Sequence, residues 1–388
     1  ANTDIMMVLD TTGSMATVNS GDRSSRLAVL QQTVKDFYAA VNTNKTQGVR
    51  IRYGFVPYST NVNVGYLLKS KWMVSRANYE GRSQRSFLAP WRYESTPIDV
   101  SSFKGATGDT LYKGGSVTVR MERGSFLGLL VAANMTSTFK GCIEERGTYV
   151  ISDYGNVDLN RAHDLDIDSE PDANDPETQW RPMLHEIAFG RRTAFGAWSS
   201  DPVETNTDWP RGDSPCPTQA RKLSEMSATD VANYVGSLVA AGSTYHDIGM
   251  IWGGRLLSPT GLFASENGDV NGRPTMRHLI FLTDGGTDPS ESAYGSYGME
   301  PLSKRRCNSC SKAELTQIVE KRFSFACDQV KNRNITVWVI GFADDNKLNP
   351  IMKDCAGSGR WFQADNSTQL SAAFSAIAAA VGDLRIIK

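Results

Sequence analysis

The sequence predicts an α/β chain built on a doubly wound, mostly parallel sheet, with a large lobe inserted between the second strand and a later helix. Three observations point there. Short apolar runs end abruptly in acidic residues, 5–9 in Asp10 and 279–282 in Thr283-Asp284-Gly285, as strands buried on both faces do when they deliver polar groups at their carboxyl ends. These runs alternate with stretches of helical period. Between Tyr58 and Ser224 the rhythm is lost in a stretch rich in Trp, Gly, Pro and Ser.

Taken in order, the strand at 5–9 is followed by Leu27, Leu30, Val34, Phe37 and Val41 at helical spacing, behind Ser24 and Ser25 as caps. Residues 49–56 read as a second strand, which Pro57 should stop. Inside the disordered rhythm of 58–224 only short strand signals such as 117–121 stand out. A helix is expected over 229–241, capped near Ser227 or Thr229. It leads into Gly242-Ser243-Thr244 and a further helix over 247–257, closed by Pro259. A strand at 279–282, a long helix at 312–332, a strand at 336–341 and an amphipathic helix at 370–384 complete the pattern. Segments 1–57 and 225–388 are therefore expected to form one discontinuous domain, with 58–224 as an irregular, β-rich lobe.

Of 388 residues, 40% are hydrophobic and 21% charged, the balance of an ordinary globular chain. A net charge of -1 and a pI near 6.5 give no global attraction to nucleic acid or anionic lipid, so no nucleic-acid partner is expected. No apolar run reaches the roughly 18 residues of a membrane span. The chain starts almost on a strand, which suggests a trimmed or processed product; any membrane attachment is expected in a segment absent from it. Six cysteines in no two-pair zinc pattern suggest an oxidising compartment. Fifteen connectivities are open to six cysteines; the expected one pairs Cys142 with Cys216, Cys307 with Cys310, and Cys327 with Cys355.

In Asp10-Thr11-Thr12-Gly13-Ser14 the oxygen-bearing side chains stand at alternate positions just after a strand, so one tight loop can aim all three inward. Gly13 is expected to let that loop turn sharply. Magnesium takes octahedral oxygen coordination and keeps several waters, so hydroxyls plus carboxylates leave positions open for a ligand. The bland reading is a cluster that caps the first helix. A second acidic loop at Asp284, after another apolar strand, argues against it.

Asp-x-Thr-x-Ser after a first strand, a later Gly-x-Thr loop and Thr-Asp-Gly after a further strand resemble the von Willebrand factor A family. That resemblance implies a metal-ion-dependent adhesion site built from Asp10, Thr12, Ser14, Thr244 and Asp284. The cation would be Mg2+, or Ca2+ or Mn2+, with the last position filled by a carboxylate from a protein ligand. Ser more often stands where Thr12 does, and Ser243 competes with Thr244; Gly249, at the family's spacing, favours Thr244. Further segments, 6–15, 141–144, 244–259, 277–285 and the Cys327 and Cys355 pair, resemble the TadG-like proteins of bacterial tight-adherence pilus loci. This implies a non-enzymatic, extracellular or periplasmic protein that mediates adhesion or pilus assembly, with pilus components as partners. The alternatives are a structural pilus subunit whose cation only stabilises the fold, and a haloacid-dehalogenase-type phosphotransfer enzyme with Asp10 as nucleophile. The latter lacks the expected Lys after Asp10.

Weaker features remain. Asp164, Asp166, Asp168, Glu170, Asp172 and Asp175 fall at the oxygen positions of a calcium loop, but Ser169 replaces the turn glycine and Asp175 the bidentate glutamate. A solvated acidic loop is the simpler expectation. Arg211-Gly212-Asp213 matches a tripeptide read by integrins, between prolines that suggest an exposed turn. His185-Glu186 lacks the second histidine of a zinc-protease helix, and Cys307-x-x-Cys310 lacks a thioredoxin context. Trp72, Trp91, Trp180, Trp198 and Trp209 are expected to be mostly core of the lobe.

Overall fold

The computed structural model describes residues 1–43, 45–85 and 88–386. The chain runs through β1 (Asn2–Asp10), α1 (Arg26–Thr43) and β2 (Ile51–Tyr58). It then builds β3 (Arg76–Ser83), β4 (Trp91–Asp99), β5 (Ser116–Phe126), β6 (Leu129–Thr138), β7 (Ile143–Glu144), β8 (Arg181–Pro182) and β9 (Val203–Thr205). β10 (Arg221–Ser224) leads to α2 (Ala228–Gly236), α3 (His246–Leu257) and α4 (Ala264–Asn267). The remainder is β11 (Thr275–Thr283), α5 (Glu300–Ser303), α6 (Lys312–Lys331), β12 (Ile335–Phe342), α7 (Pro350–Ala356), β13 (Trp361–Ala364) and α8 (Ser367–Ile386).

The central sheet has the order β10-β2-β1-β11-β12-β13, parallel throughout except for β10. Every residue of β1 is buried because the strand has neighbours on both sides and helices over both faces. Ile5, Met7 and Leu9 pack with α1, α2 and α8, whereas Met6 and Val8 face α3 and α6. This is the doubly wound α/β arrangement.

Two expectations need correction. Pro57 does not stop β2, which continues to Tyr58. The Tyr58 carbonyl accepts from Thr11 on the β1 side, so the alternate residue Pro57 faces the other edge. There β10 pairs only as far as Phe55, and the missing N–H breaks no ladder bond. The helix expected to run to Ala241 ends at Gly236, although Ser227 and Asp230 do form its capping box.

The stretch between β2 and β10 carries a three-stranded antiparallel sheet, β3-β4-β9, and two hairpin pairs, β5-β6 and β7-β8. Trp72, Trp91 and Trp180 lie in the same hydrophobic core as Val8 and Trp252, continuous with one face of the sheet. Trp198 and Trp209 are half-buried. At the seam, buried Glu145 accepts from Trp180 Nε1 (3.0 Å), Trp252 Nε1 (2.6 Å) and Arg255 Nη1 (2.9 Å). Burial alone would push this carboxyl up, but Arg255, Arg146 and the hydrogen bonds together hold it below the ordinary range. The cysteines pair as Cys142–Cys216, Cys307–Cys310 and Cys327–Cys355. No helix among the described residues is long and apolar enough to cross a membrane.

Candidate metal centre

The loop after β1 is clamped from two sides. Thr11 N donates to Tyr58 O at 2.9 Å, and Gly13 N donates to Gly242 O at 3.0 Å, in the turn that precedes α3. The left-handed residue is Gly242 (φ +91), not Gly13, which simply opens a short 3-10 turn; the sharp conformation thus lies in the second loop. α3 itself can lie against the sheet because of its glycines. A Cβ on Gly249 would meet the Tyr58 ring at 2.8 Å, and one on Gly253 would meet Val8 at 2.5 Å.

This packing brings loops from three parts of the chain to the carboxyl edge of β1 and β11. Asp10 Oδ1 accepts from Thr12 N (2.8 Å) and Thr12 Oγ1 (2.6 Å). Its Oδ2 accepts from Thr283 Oγ1 (3.0 Å) and Asp284 N (3.3 Å). Ser14 Oγ donates to Asp284 Oδ1 at 2.9 Å and lies 3.0 Å from Thr12 Oγ1. Asp10, Thr12 and Asp284 are buried, whereas Ser14 is exposed at the mouth. Thr244 is buried on the neighbouring loop, where its backbone pairs in both directions with Asp288. Ser243 is half-buried and donates its N–H to Thr60 Oγ1.

Sequence reasoning missed three residues here. Arg26, the first residue of α1, is buried and reaches Asp284 Oδ2 at 3.1 Å, then Asp345 and Asp344 at the rim. Thr283 links Asp10 to His246, whose Nε2 lies 2.9 Å from the Thr283 hydroxyl. The His246 ring, sealed among Tyr58, Phe281 and Phe323, is pushed down to about 3 by burial and stays neutral. Its place two residues after Thr244 was the available signal.

The electrostatics suit a dication. Burial, and next the neighbouring Asp284 carboxylate, raise the Asp10 carboxyl to about 7. Arg26 compensates one of two adjacent carboxylates, and among the described residues no second basic side chain pairs with either. An all-oxygen set of carboxylates and hydroxyls is what hard cations such as Mg2+ take.

The acidic loop after His163 does not bring its carboxylates together. Asp164 is buried against Arg322 and accepts from Tyr297 OH at 2.6 Å. Asp166 accepts from the backbone N–H groups of Asp168 and Ser169, and Asp168 from Ser258, Thr260 and Arg333. Glu170 takes the Trp72 indole N–H, while Asp172 and Asp175 cap local turns. Each carboxylate is committed to a different partner. His185 lies beside Cys142 and Cys216, but their sulfurs are joined to each other and offer no thiolate. In the integrin-like tripeptide, Gly212 N donates to Ala188 O and Asp213 N to Ser292 O, so the backbone is extended and paired rather than a free turn.

Fold and site together define a doubly wound α/β chain that gathers oxygen donors at the carboxyl edge of its two central strands. No family model and no curated protein matches the sequence. Among solved structures the chain is similar to the pilus adhesin SpaC from Lactobacillus rhamnosus GG in its open conformation, at 12% identity and TM-score 0.40, covering 99% of this chain and 30% of that one. It is similar to the PilB minor pilin from Streptococcus sanguinis, at 11% identity and TM-score 0.44, covering 100% of this chain and 63% of that one. A von Willebrand factor type A protein from Catenulispora acidiphila is similar at 11% identity and TM-score 0.36, covering 98% of this chain and 42% of that one. The chain thus spans less than two thirds of each of these structures.

Proposed function

We propose that this chain is a binding protein of the bacterial envelope that engages a partner through a divalent cation held by Asp10, Thr12, Ser14, Thr244 and Asp284. The observation that carries this reading is the buried pair Asp10 and Asp284, brought from 274 positions apart into one hydrogen-bonded cluster with two hydroxyls and, among the described residues, one arginine to balance it. Ser14, exposed at the mouth, leaves an approach for a partner's carboxylate. The envelope assignment rests on three disulfides, and adhesion or pilus assembly on the resemblance of the motifs to the tight-adherence proteins. A phosphotransfer role for Asp10 suits the geometry badly, since the residue is fully buried with both oxygens engaged.

Calorimetry with Mg2+, Mn2+ and Ca2+ tests the site: wild type should bind and Asp10→Ala should not, and equal affinity in both would sink the assignment. A second reading, in which the cation only ties the fold together, draws on the direct bonds by which the site already joins the β1 and β11 loops. Surface attachment assayed beside pilus assembly separates the two. Adhesion predicts that Asp10→Ala abolishes attachment with pili intact.

A further inference from the structure

Around the Cys142–Cys216 disulfide the chain places more than a covalent staple needs. A ring nitrogen of His185 and the two sulfurs lie within 4.8 Å of one another, and the histidine is 6% exposed. Its Nδ1 stands 2.7 Å from the Ser214 carbonyl oxygen. A carbonyl can only accept, so Nδ1 carries the proton and Nε2 keeps its lone pair. That buried lone pair meets no donor, an omission that folded chains seldom tolerate without a reason. An imidazole whose other nitrogen donates to a backbone carbonyl is the form in which histidine ligates a metal.

Bonds other than the disulfide hold all three side chains in place. Cys142 forms a backbone bridge with Asn63, and its carbonyl accepts from Met183 N at 3.0 Å, two residues before His185. Cys216 is pinned on either side: Asn61 Nδ2 donates to Pro215 O at 2.8 Å, and Asn63 Nδ2 to Pro217 O at 3.0 Å. Asn63 thus serves both cysteine segments, and opening the S–S bond would leave both backbones tied. The site is also reachable. Cys216 is half-buried and lines a cavity of about 230 Å³; His185 lines a wider one of about 600 Å³, and Pro215 borders both. Cys327 and Cys355 are buried, and among the described residues neither of the other disulfides has a third ligand within the same reach.

We propose that this disulfide gates a zinc site: once a dithiol opens it, Cys142, Cys216 and His185 bind Zn2+, with the fourth tetrahedral position open to water. The dithiol gives up two electrons and two protons and closes to its own cyclic disulfide, and each cysteine sulfur becomes a thiol. Zn2+ then displaces both thiol protons, which pass to solvent. At Zn–S and Zn–N distances of about 2.3 and 2.0–2.1 Å, tetrahedral ligand atoms stand roughly 3.5–3.8 Å apart. The sulfurs therefore need only part by side-chain rotation, and His185 is already within reach. Two thiolates cancel the charge of the dication, so the filled site carries no net charge out of water. Sulfur and nitrogen donors select zinc over magnesium, the reverse of the oxygen cluster at Asp10 and Asp284.

Co2+ is the probe, because a thiolate-to-cobalt charge-transfer band reports sulfur ligation and the oxygen cluster can give none. The full chain carrying Cys307→Ser and Cys310→Ser is reduced with dithiothreitol and freed of it without air. It should then bind Co2+ with that band, and Zn2+ should displace the Co2+; the oxidised chain should show no band. Cys216→Ser should lose the band. His185→Gln should weaken Co2+ binding by more than the roughly 10–100-fold that loss of a merely supporting group costs. The proposal fails if the reduced chain gives no band or if His185→Gln binds as tightly as its parent. It also fails if reduction alone abolishes the near-ultraviolet circular dichroism of the folded chain, since the site needs both cysteines held.

Discussion

Arg26 supplies Asp284 with part of the positive charge that a dication would bring, and it does so from a buried position on the first turn of α1. Removing it leaves a carboxylate facing another carboxylate in a dry site. Arg26→Gln should therefore cost the metal-free protein roughly 3 kcal/mol while increasing the stabilisation gained from Mg2+, because the site's need for positive charge grows. Thermal midpoints with and without Mg2+ check this; a variant that loses stability but responds less to Mg2+ would contradict it. His185 gives a second residue-scale expectation. Its ring is buried beside the Cys142–Cys216 disulfide, with Nδ1 2.7 Å from Ser214 O, and burial lowers its pKa. The unfolded chain takes up a proton near the ordinary histidine value that the folded chain refuses, so this contribution is complete above about pH 6.5 and is lost as the pH falls below it. Urea midpoints from pH 7 down to 5 should decline less steeply in His185→Gln than in wild type. At this scale the sequence was legible where oxygen donors recur after apolar strands, as at Asp10 and Asp284. It was not legible at Arg26, because an arginine opening a helix looks like any solvated one until the loops close over it.

All twelve residues of α3 are buried, and the helix carries the Thr244 loop at its amino end. Its closeness to the sheet depends on Gly253, where a Cβ would meet Val8 at 2.5 Å and Leu279 at 3.0 Å. Gly253→Ala gains up to about 1 kcal/mol of helix propensity but overpacks the contact by about 1–3 kcal/mol, so clash should win. Lower stability together with weaker Mg2+ binding is expected in calorimetry, since the helix can relieve the clash only by lifting the loop it carries. Stability unchanged or raised would mean that the sheet yields instead. Elements were read well where burial on both faces leaves an unbroken apolar run, as in β1 and β12. β10 escaped notice because Arg221-Lys222-Leu223-Ser224 buries only Leu223 and looks like a loop. α2 was drawn too long because the apolar residues Leu238, Val239 and Ala240 continue past its last turn.

The large stretch between β2 and β10 shares a core with the sheet, so its tryptophans mark continuity rather than a separate body. The sequence announced that stretch and, at 117–121, the strand β5 within it, but not its other strands, since short antiparallel pairs stabilised by distant partners leave little periodicity. Its attachment has a consequence for descent. The chain departs at the end of β2 and comes back against that same strand, so in connectivity the stretch is a detour, removable without reordering any other strand. In charge it is not removable: Arg255, on a helix of the sheet, has Glu145 of the detour as its buried counterion, whereas Arg322 is shared between Asp164 of the detour and Asp247 of α3. A shortened chain should fold only when Arg255 is exchanged for an apolar residue, because a buried charge stripped of its partner costs about 3–5 kcal/mol. Homologues that lack the detour are accordingly expected to have lost Arg255 with it, and one that retains this arginine without a new acidic neighbour would break this rule of coinheritance.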